Sequence, residues 1–147
     1  MLSGTPERGE SIGTTFKTAL IQAAPELGNK AANLKRMRKL VSATEADLYL
    51  FGELYLTGYM CKDLFPELGE DLRGPSVNEV RKIAEGRNAS IIFGMPERDE
   101  ETGVLYNSSV YVSSDGDVVG YRKLYPANFG PFEELQYFRR GSELKVV

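Results

Sequence analysis

The chain has 147 residues, of which 41% are hydrophobic and 27% charged, and this composition is typical of one ordinary globular domain. The formal net charge of −3 gives no electrostatic reason to expect nucleic acid or a membrane as a partner. The sequence has no histidine and one cysteine, Cys61, which excludes histidine-containing catalytic triads, most zinc sites and an internal disulfide. A lone cysteine favours a reducing compartment, so we expect a cytoplasmic protein. We also expect no metal or other cofactor.

The amino-terminal part of the sequence predicts a leader, a strand and a helix. Residues 1–15 are rich in Gly, Ser and Thr and lack the apolar stretch of a signal peptide, so we interpret them as a flexible leader. Residues 16–24 are mostly apolar and end before Pro25, which predicts a buried strand. Gly28 and Asn29 then open a predicted helix, along which apolar residues recur at helical spacing: Ala32, Leu34, Met37, Leu40 and Val41.

A second strand, a loop and a second helix follow. Residues 47–51 (DLYLF) predict a short apolar strand that leads directly to Glu53. Residues 54–75 contain several Gly and Pro and predict a loop. Ser76, with Glu79 three residues later, predicts a capping box at the start of the next helix. The residues that we expect to face inward from this helix are Val77, Val80, Ile83 and Ala84.

The next segment predicts a buried strand and a hairpin. Residues 90–95 (SIIFGM) have the apolar character of a buried strand, and the polar segment 96–103 predicts a turn after it. Residues 105–113 alternate in polarity, and Asp115-Gly116 is a strong turn signal. We therefore predict that residues 118–124 return as the hairpin partner of 105–113.

The carboxyl-terminal segment is long and irregular. Residues 126–142 contain Asn, Gly and Pro, and irregular connections of this length often have a functional role. Residues 143–147 (ELKVV) predict a further strand that has only begun. Strands alternating with helices and ending in a hairpin predict a layered α/β or α+β domain over residues 16–147.

Glu53 is the first residue of chemical interest because it follows a strand at its carboxyl end, where ligands usually lie in such folds. A carboxylate placed among Phe51, Tyr55 and Tyr59 would be partly desolvated and therefore suited to act as a general base. A surface glutamate without a function also fits this position, and the residues alone leave the choice open.

Lys123 lies near the end of the second hairpin strand, where it could stabilise a developing oxyanion. It could equally be an edge-strand lysine that prevents aggregation. Arg122 should point to the opposite face of the sheet, because side chains alternate along a strand. Either Glu133 or Glu134, in the loop that follows, could pair with Lys123 and keep it protonated. Cys61 lacks neighbours that would lower its pKa, so we expect an ordinary loop thiol there.

The order and spacing of these segments resemble the carbon–nitrogen hydrolase family of the nitrilase superfamily. The resemblance is carried by LFGELYLTGY, GPSVNEV, IIFGMPERDEETGVLYNSSVYVSSDGDVVGYRKLY and NFGPFEELQYF, and it covers residues 16–147. Gly52 stands where the family usually has proline. The ELYLTGY-to-KDLF stretch and the NFGPFEE loop are most similar to the glutaminase domains of glutamine-dependent NAD synthetases.

The resemblance implies an αββα sandwich, with two sheets face to face, and a glutamate–lysine–cysteine mechanism. Glu53 would be the general base, Lys123 would stabilise the oxyanion of the tetrahedral intermediate, and Glu134, with Glu133 as the alternative, would orient the lysine. The implied reaction is attack on an amide or nitrile carbon followed by hydrolysis of a thioester. The residues implied to line the substrate pocket are Tyr59, Phe129 and Phe132.

The cysteine that defines this chemistry lies some tens of residues beyond the lysine in the family, and Cys61 cannot be aligned with it. We therefore expect the chain to be truncated, split or a pseudoenzyme, inactive alone, and to form a homo-oligomer or bind a complementing carboxyl-terminal half. The implied substrate is a small amide or nitrile. The alternative function is a non-catalytic binding or assembly module that retains the pocket. An unrelated nucleotide-binding domain is disfavoured, because no Gly-rich phosphate loop follows the first strand.

Overall fold

The computed structural model describes residues 15–146, so the predicted leader lies almost entirely outside the described residues. Five strands form one sheet in the order β1-β2-β3-β4-β5. Their bounds are β1 Thr18–Ile21, β2 Leu48–Phe51, β3 Ser90–Arg98, β4 Leu105–Val112 and β5 Val118–Arg122. The helices are α1 Lys30–Ala43, α2 Phe65–Leu68, α3 Pro75–Arg87 and α4 Glu134–Tyr137, with a 3-10 helix at Tyr59–Leu64.

The connections between strands explain the mixed sheet. Strands β1, β2 and β3 are parallel because α1 and α3 provide the crossovers between them. Strands β3, β4 and β5 are antiparallel and follow one another through short turns. Gly116 has a φ of 87°, which is the left-handed conformation that the Asp115-Gly116 turn signal predicts. The structure is thus of the α/β class.

One face of the sheet carries the main core. Helices α1 and α3 pack on this face, and apolar strand residues at alternate positions point toward them. Asn29 caps α1, because its Oδ1 accepts a hydrogen bond from the Ala32 amide at 3.0 Å. The fully buried members of this core include Met37 and Val41 from α1, Val77 and Val80 from α3, and Tyr49, Ile91, Phe93 and Val110 from the strands.

The opposite face of the sheet has no helix layer among the described residues. A row of apolar side chains crosses all five strands on this face, and its members are in register: Leu20, Leu50, Ile92, Tyr111 and Val119. Leu20 is 75% exposed. The prediction of a buried first strand was therefore wrong, because β1 is an edge strand that only the helices on one side cover.

The capping box predicted for the second helix does not form. Gly74 is the N-cap and Pro75 takes the first helical position, which places Ser76 inside the helix. The amide and the hydroxyl of Ser76 each donate a hydrogen bond of 2.8 Å to the carboxylate of Glu70. Glu79 pairs instead with Arg38 and Lys82 on the helix surface. A glutamate from the preceding loop thus replaces the predicted local cap.

Three element boundaries also differ from the predictions. The segment predicted as a loop at 54–75 contains the 3-10 helix and α2. Strand β3 continues through Pro96, which the sequence placed in a turn, because the missing N–H of this proline faces the side where β2 has already ended. Residues 143–146, the described part of the predicted last strand, form no strand. No helix of the described part is both long and apolar enough to cross a membrane.

Candidate active site

Glu53 lies on a tight turn that begins where β2 ends. The turn is closed by hydrogen bonds from the Tyr55 amide to the Gly52 carbonyl at 3.2 Å and from the Gly58 amide to the Leu54 carbonyl at 2.7 Å. Leu54 has a φ of 49°, a left-handed conformation that is uncommon for leucine. This backbone directs the buried Leu54 side chain into a small second core and leaves the Glu53 carboxylate beside the end of β5.

Lys123 follows the last residue of β5 and contacts two carboxylates. Its Nζ lies 2.7 Å from Oε1 of Glu53 and 3.0 Å from Oε1 of Glu134. Arg122 points to the other face of the sheet, where its guanidinium pairs with Glu97 and Asp99. Strand alternation therefore separates the two cations as expected. The structure brings Glu53, Lys123 and Glu134 together in one cluster.

Glu134 is the best-enclosed member of the cluster, with only 4% of the residue exposed. Besides Lys123, its carboxylate accepts hydrogen bonds from the Tyr59 hydroxyl at 2.5 Å and from the Ala127 amide at 3.0 Å. Burial alone would raise the pKa of Glu134, but these donors together with the charge of Lys123 lower it. Glu133 is exposed and precedes α4, so Glu134 is the glutamate that contacts the lysine.

Each charged group of the cluster stabilises the charged form of its partner. Burial acts to lower the pKa of Lys123, but hydrogen bonds to Glu53 and Glu134 outweigh burial and raise it. Burial and the hydrogen bond to Glu134 raise the pKa of Tyr59 well above its usual range. At neutral pH the cluster therefore holds a protonated lysine, an ionised Glu134 and a neutral tyrosine whose hydroxyl donates a hydrogen bond to Glu134.

Asn107 is a site residue that the sequence interpretation missed. Its Nδ2 donates a 2.7 Å hydrogen bond to Oε1 of Glu53, and its backbone carbonyl oxygen accepts a hydrogen bond from the Lys123 backbone amide at 2.9 Å. Asn107 is buried near the start of β4, at the open end of the hairpin. An asparagine inside a strand is unusual, because strands are depleted in this residue, and that was the signal that could have identified it.

The surroundings of Glu53 differ from the expectation of an aromatic, desolvated pocket. The side chain of Glu53 is 47% exposed. Tyr55 is instead buried in the main core, where its ring lies 4.7 Å from that of Phe51. For Tyr55 the expectation was wrong, because the turn at Leu54 places this residue in the main core. Phe51, in contrast, lines the same cleft as Glu53.

The three residues expected to line a substrate pocket form a continuous aromatic row. Tyr59 packs edge-on against Phe132 with ring centroids 5.8 Å apart, and Phe132 against Phe129 at 5.3 Å. Phe129 is 68% exposed at the outer end of the row. The inner end reaches the cluster through the Tyr59 hydroxyl. These aromatics form a wall that begins at Glu134 and extends toward solvent.

Cys61 belongs to the second core and not to the charged cluster. It is buried with Leu54, Phe65, Leu105 and Phe138, and its thiol donates to the Thr57 carbonyl at 3.0 Å. Burial raises the pKa of Cys61, which disfavours the thiolate. Its environment is that of a structural thiol.

A cleft of about 240 Å³ lies beside the cluster. Its lining combines backbone and polar side chains from β3, β4 and β5 with the end of β2: Phe51, Gly52, Glu53, Gly94, Asn107, Ser108, Ser109, Tyr121 and Lys123. Between residues 15 and 146, no group of three or more acidic or cysteine side chains is arranged to hold a metal ion. A cleft with a carboxylate and an ammonium at its edge can polarise a carbonyl or nitrile and accept a proton.

Comparison with known proteins assigns the chain to a family. The model of the carbon–nitrogen hydrolase family matches residues 17–147. A protein of Schizosaccharomyces pombe described as a probable nitrilase is 31% identical, over 87% of this chain and 48% of the relative. A glutamine-dependent NAD(+) synthetase of Thermotoga maritima is 34% identical, over 90% of this chain and 23% of the relative.

A solved structure shares the fold. A CN-hydrolase superfamily protein from Xanthomonas campestris superposes with a TM-score of 0.77 at 24% identity, over 87% of this chain and 47% of that structure. The chain thus spans about half the length of the nitrilase relative and about a quarter of the synthetase. Together, the family model, the sequence relatives and the shared fold show that this chain belongs to the carbon–nitrogen hydrolase family.

Proposed function

We propose that the chain supplies the general base and the oxyanion-stabilising cation of a hydrolase that acts on the carbon–nitrogen bond of a small amide or nitrile. The observation that carries this proposal is the position of Lys123, whose Nζ lies 2.7 Å from Glu53 and 3.0 Å from Glu134 at the edge of the cleft. The two carboxylates keep the ammonium protonated and fix its position. A cation that is to stabilise a developing oxyanion must be charged and fixed in this way.

The two oxygens of Glu53 have different tasks in this proposal. Oε1 accepts hydrogen bonds from Asn107 and from Lys123, both at 2.7 Å. These two donors orient the carboxylate and occupy the lone pairs of Oε1. Oε2 is then the oxygen that takes the proton of the nucleophile and, in the second half of the reaction, the proton of water.

Lys123 has its task at the substrate carbonyl. Attack of a thiolate on an amide carbon places negative charge on the carbonyl oxygen, which the ammonium stabilises. Collapse of this intermediate expels ammonia or an amine, protonated from Glu53, and leaves a thioester. Water, deprotonated by Glu53, then hydrolyses the thioester to the acid and restores the thiol. Glu134 acts through Lys123, which it holds against the cleft.

The nucleophile in this proposal is not Cys61, because that thiol is buried, donates to Thr57 and has a raised pKa. We propose that a complementing carboxyl-terminal half supplies the cysteine. Similarity to a nitrilase and to a glutamine-dependent synthetase supports a nitrile or a small carboxamide as substrate.

The second candidate function is a binding or assembly module that keeps the cleft and does no hydrolysis. The burial and raised pKa of the Cys61 thiol favour this candidate, because they make Cys61 a poor nucleophile.

A chimera tests the proposal and separates the two candidates. Residues 17–147 replace the aligned half of the S. pombe relative, so that the remainder of that protein supplies the cysteine that the family resemblance implies. We expect ammonia release from small amides or nitriles by the chimera and none by the 147-residue chain alone. A folded chimera without turnover would favour the binding module.

Variants of the chimera test the assigned roles. Glu53→Gln and Lys123→Met should each lower turnover by several orders of magnitude, because each removes a group that acts on the reacting atoms. Cys61→Ser is the control and should retain most of the activity. Loss of activity in the folded serine variant would identify Cys61 as the nucleophile and contradict the mechanism.

A further inference from the structure

The turn that carries Glu53 rests directly on one residue of the neighbouring strand, Gly94 of β3. The Gly94 amide donates to the Gly52 carbonyl at 3.2 Å, and the Gly94 carbonyl accepts the Leu56 amide at 3.0 Å. Both backbone groups of one glycine thus bind the chain on either side of Glu53. Sheet pairing continues at this single residue after β2 has ended.

No side chain fits at Gly94 without moving that turn. A Cβ atom there would lie 2.2 Å from the Leu54 nitrogen and 2.8 Å from Cα of Glu53. These atoms are backbone, so a rotamer change cannot relieve the contact. Around Gly86, in contrast, a Cβ atom would meet nothing within 4 Å.

The turn is also strained, and its strain explains why it needs a close support. Leu54 has a left-handed φ of 49°, which is sterically unfavourable for leucine because its Cβ atom lies too close to the following carbonyl oxygen. The conformation is held because the Leu54 side chain is completely buried on one side and Gly94 supports the backbone on the other. If either support changes, the carboxylate of Glu53 should shift.

We propose that Gly94 is a positioning residue for Glu53. Because Gly94 has no side chain, the turn that carries Glu53 can pack directly against the backbone of β3. This close packing fixes the distance from the Glu53 carboxylate to Lys123 and Asn107. This inference rests on the proposed function only for the role of Glu53 as the base. A Cβ atom at position 94 would force the Leu54 nitrogen back by about 1 Å to reach ordinary contact distance. Misplacement of a catalytic group by about 1 Å can lower a rate roughly 100-fold.

The test measures the geometry in the full 147-residue chain and needs no turnover. The pKa of Lys123 is raised by its hydrogen bonds to Glu53 and Glu134, so its titration reports whether the contact with Glu53 is intact. We would titrate the Nζ and Cε resonances of labelled lysines by NMR, with Lys123→Met to assign the signal. In Gly94→Ala the pKa of Lys123 should fall toward its value in Glu53→Gln.

Gly120→Ala is the matched control for packing stress. Gly120 is also a glycine inside a strand, but its Cβ atom would meet the flexible end of Leu72 at 2.8 Å and not the Glu53 turn. The pKa of Lys123 should therefore stay unchanged in Gly120→Ala, as in the strain-free Gly86→Ala. An unchanged pKa in folded Gly94→Ala, or an equal fall in Gly120→Ala, would overturn the proposal.

A second pair of variants covers the case in which Gly94→Ala does not fold. Leu54→Ala removes the other support of the turn, whereas Leu105→Ala removes the same volume from the same small core at a residue of β4, outside the turn. The pKa of Lys123 should fall only in Leu54→Ala, and equal behaviour of the two variants would refute the inference. A lowered pKa in Gly94→Ala beside an inactive chimera would refute the proposed function and leave the role of Gly94 standing.

Discussion

Replacement of Glu134 by glutamine tests whether the buried carboxylate holds the cluster together. The substitution keeps the shape of the side chain and removes its charge. Three donors converge on this carboxylate, namely the Lys123 ammonium and the Tyr59 hydroxyl at Oε1 and the Ala127 amide at Oε2. Whichever way the new side-chain amide is oriented, its NH₂ group must face at least one of these donors, so at least one hydrogen bond is lost together with the ion pair.

The expected cost follows from the burial of the group. A hydrogen bond to a charged group contributes about 1.5–3 kcal/mol, and breaking a buried ion pair costs about 3–5 kcal/mol. Lys123 keeps Glu53 as a partner and is partly exposed, which places the effect toward the lower values. We expect Glu134→Gln to lower the free energy of unfolding at pH 7 by about 3 kcal/mol.

Urea unfolding followed by far-UV circular dichroism measures this difference. The control is Glu133→Gln, because Glu133 is the exposed neighbour and its substitution should change the free energy by no more than about 0.5 kcal/mol. The folded-state pKa of Glu134 is lowered, so its contribution is complete above the ordinary glutamate pKa of about 4.3 and is lost as the pH falls through the lower folded-state value. Equal losses in the two variants, or a gap that widens at acidic pH, would refute this reasoning.

Three further predictions concern the thiol, the ion pair and the open sheet face. Cys61 should react with a thiol reagent far more slowly in the native chain than in urea, because it is buried and its pKa is raised; fast native labelling would contradict this. Arg122→Met should lower the free energy of unfolding by about 3–5 kcal/mol in a urea titration, because it leaves the buried Glu97 without its guanidinium; a loss below about 1 kcal/mol would contradict the pairing. Light scattering should report a species larger than a monomer, because the sheet leaves an apolar row with Leu20 and Leu50 uncovered; a monodisperse monomer would be evidence against this.

Local patterns in the sequence predicted most of the elements. The helical spacing of Met37 and Val41 identified α1 and its inward face, and the Asp115-Gly116 pair identified the hairpin. These features depend on neighbours within a few residues, and the physics of helix periods and turn conformations is local. For the site, the positions of Glu53 and Lys123 at strand ends made them candidates, and only the resemblance to family motifs gave them joint roles, since no local rule relates residues so far apart in the chain.

The tertiary structure decided the points at which a distant residue replaced a local one. Glu70 displaced the predicted capping box at Ser76, and the end of β2 allowed β3 to continue through Pro96. Both outcomes depend on which segments meet across the fold, so no window of sequence contains them.

The candidate site also combines features predicted from the sequence with features that only tertiary contacts decided. The motif left Glu133 and Glu134 as alternatives, and burial against Tyr59 and Lys123 distinguished them. Asn107 was overlooked because its partners lie on other strands. The sequence by itself determined which residue types are available to the cluster of Glu53, Lys123 and Glu134, and the order in which they occur along the chain. Which side chain faces which, and at what distance, was decided only by the packing of the ends of β2, β4 and β5 and of α4, because hydrogen bonds and ion pairs depend on positions in space and not on separation along the chain.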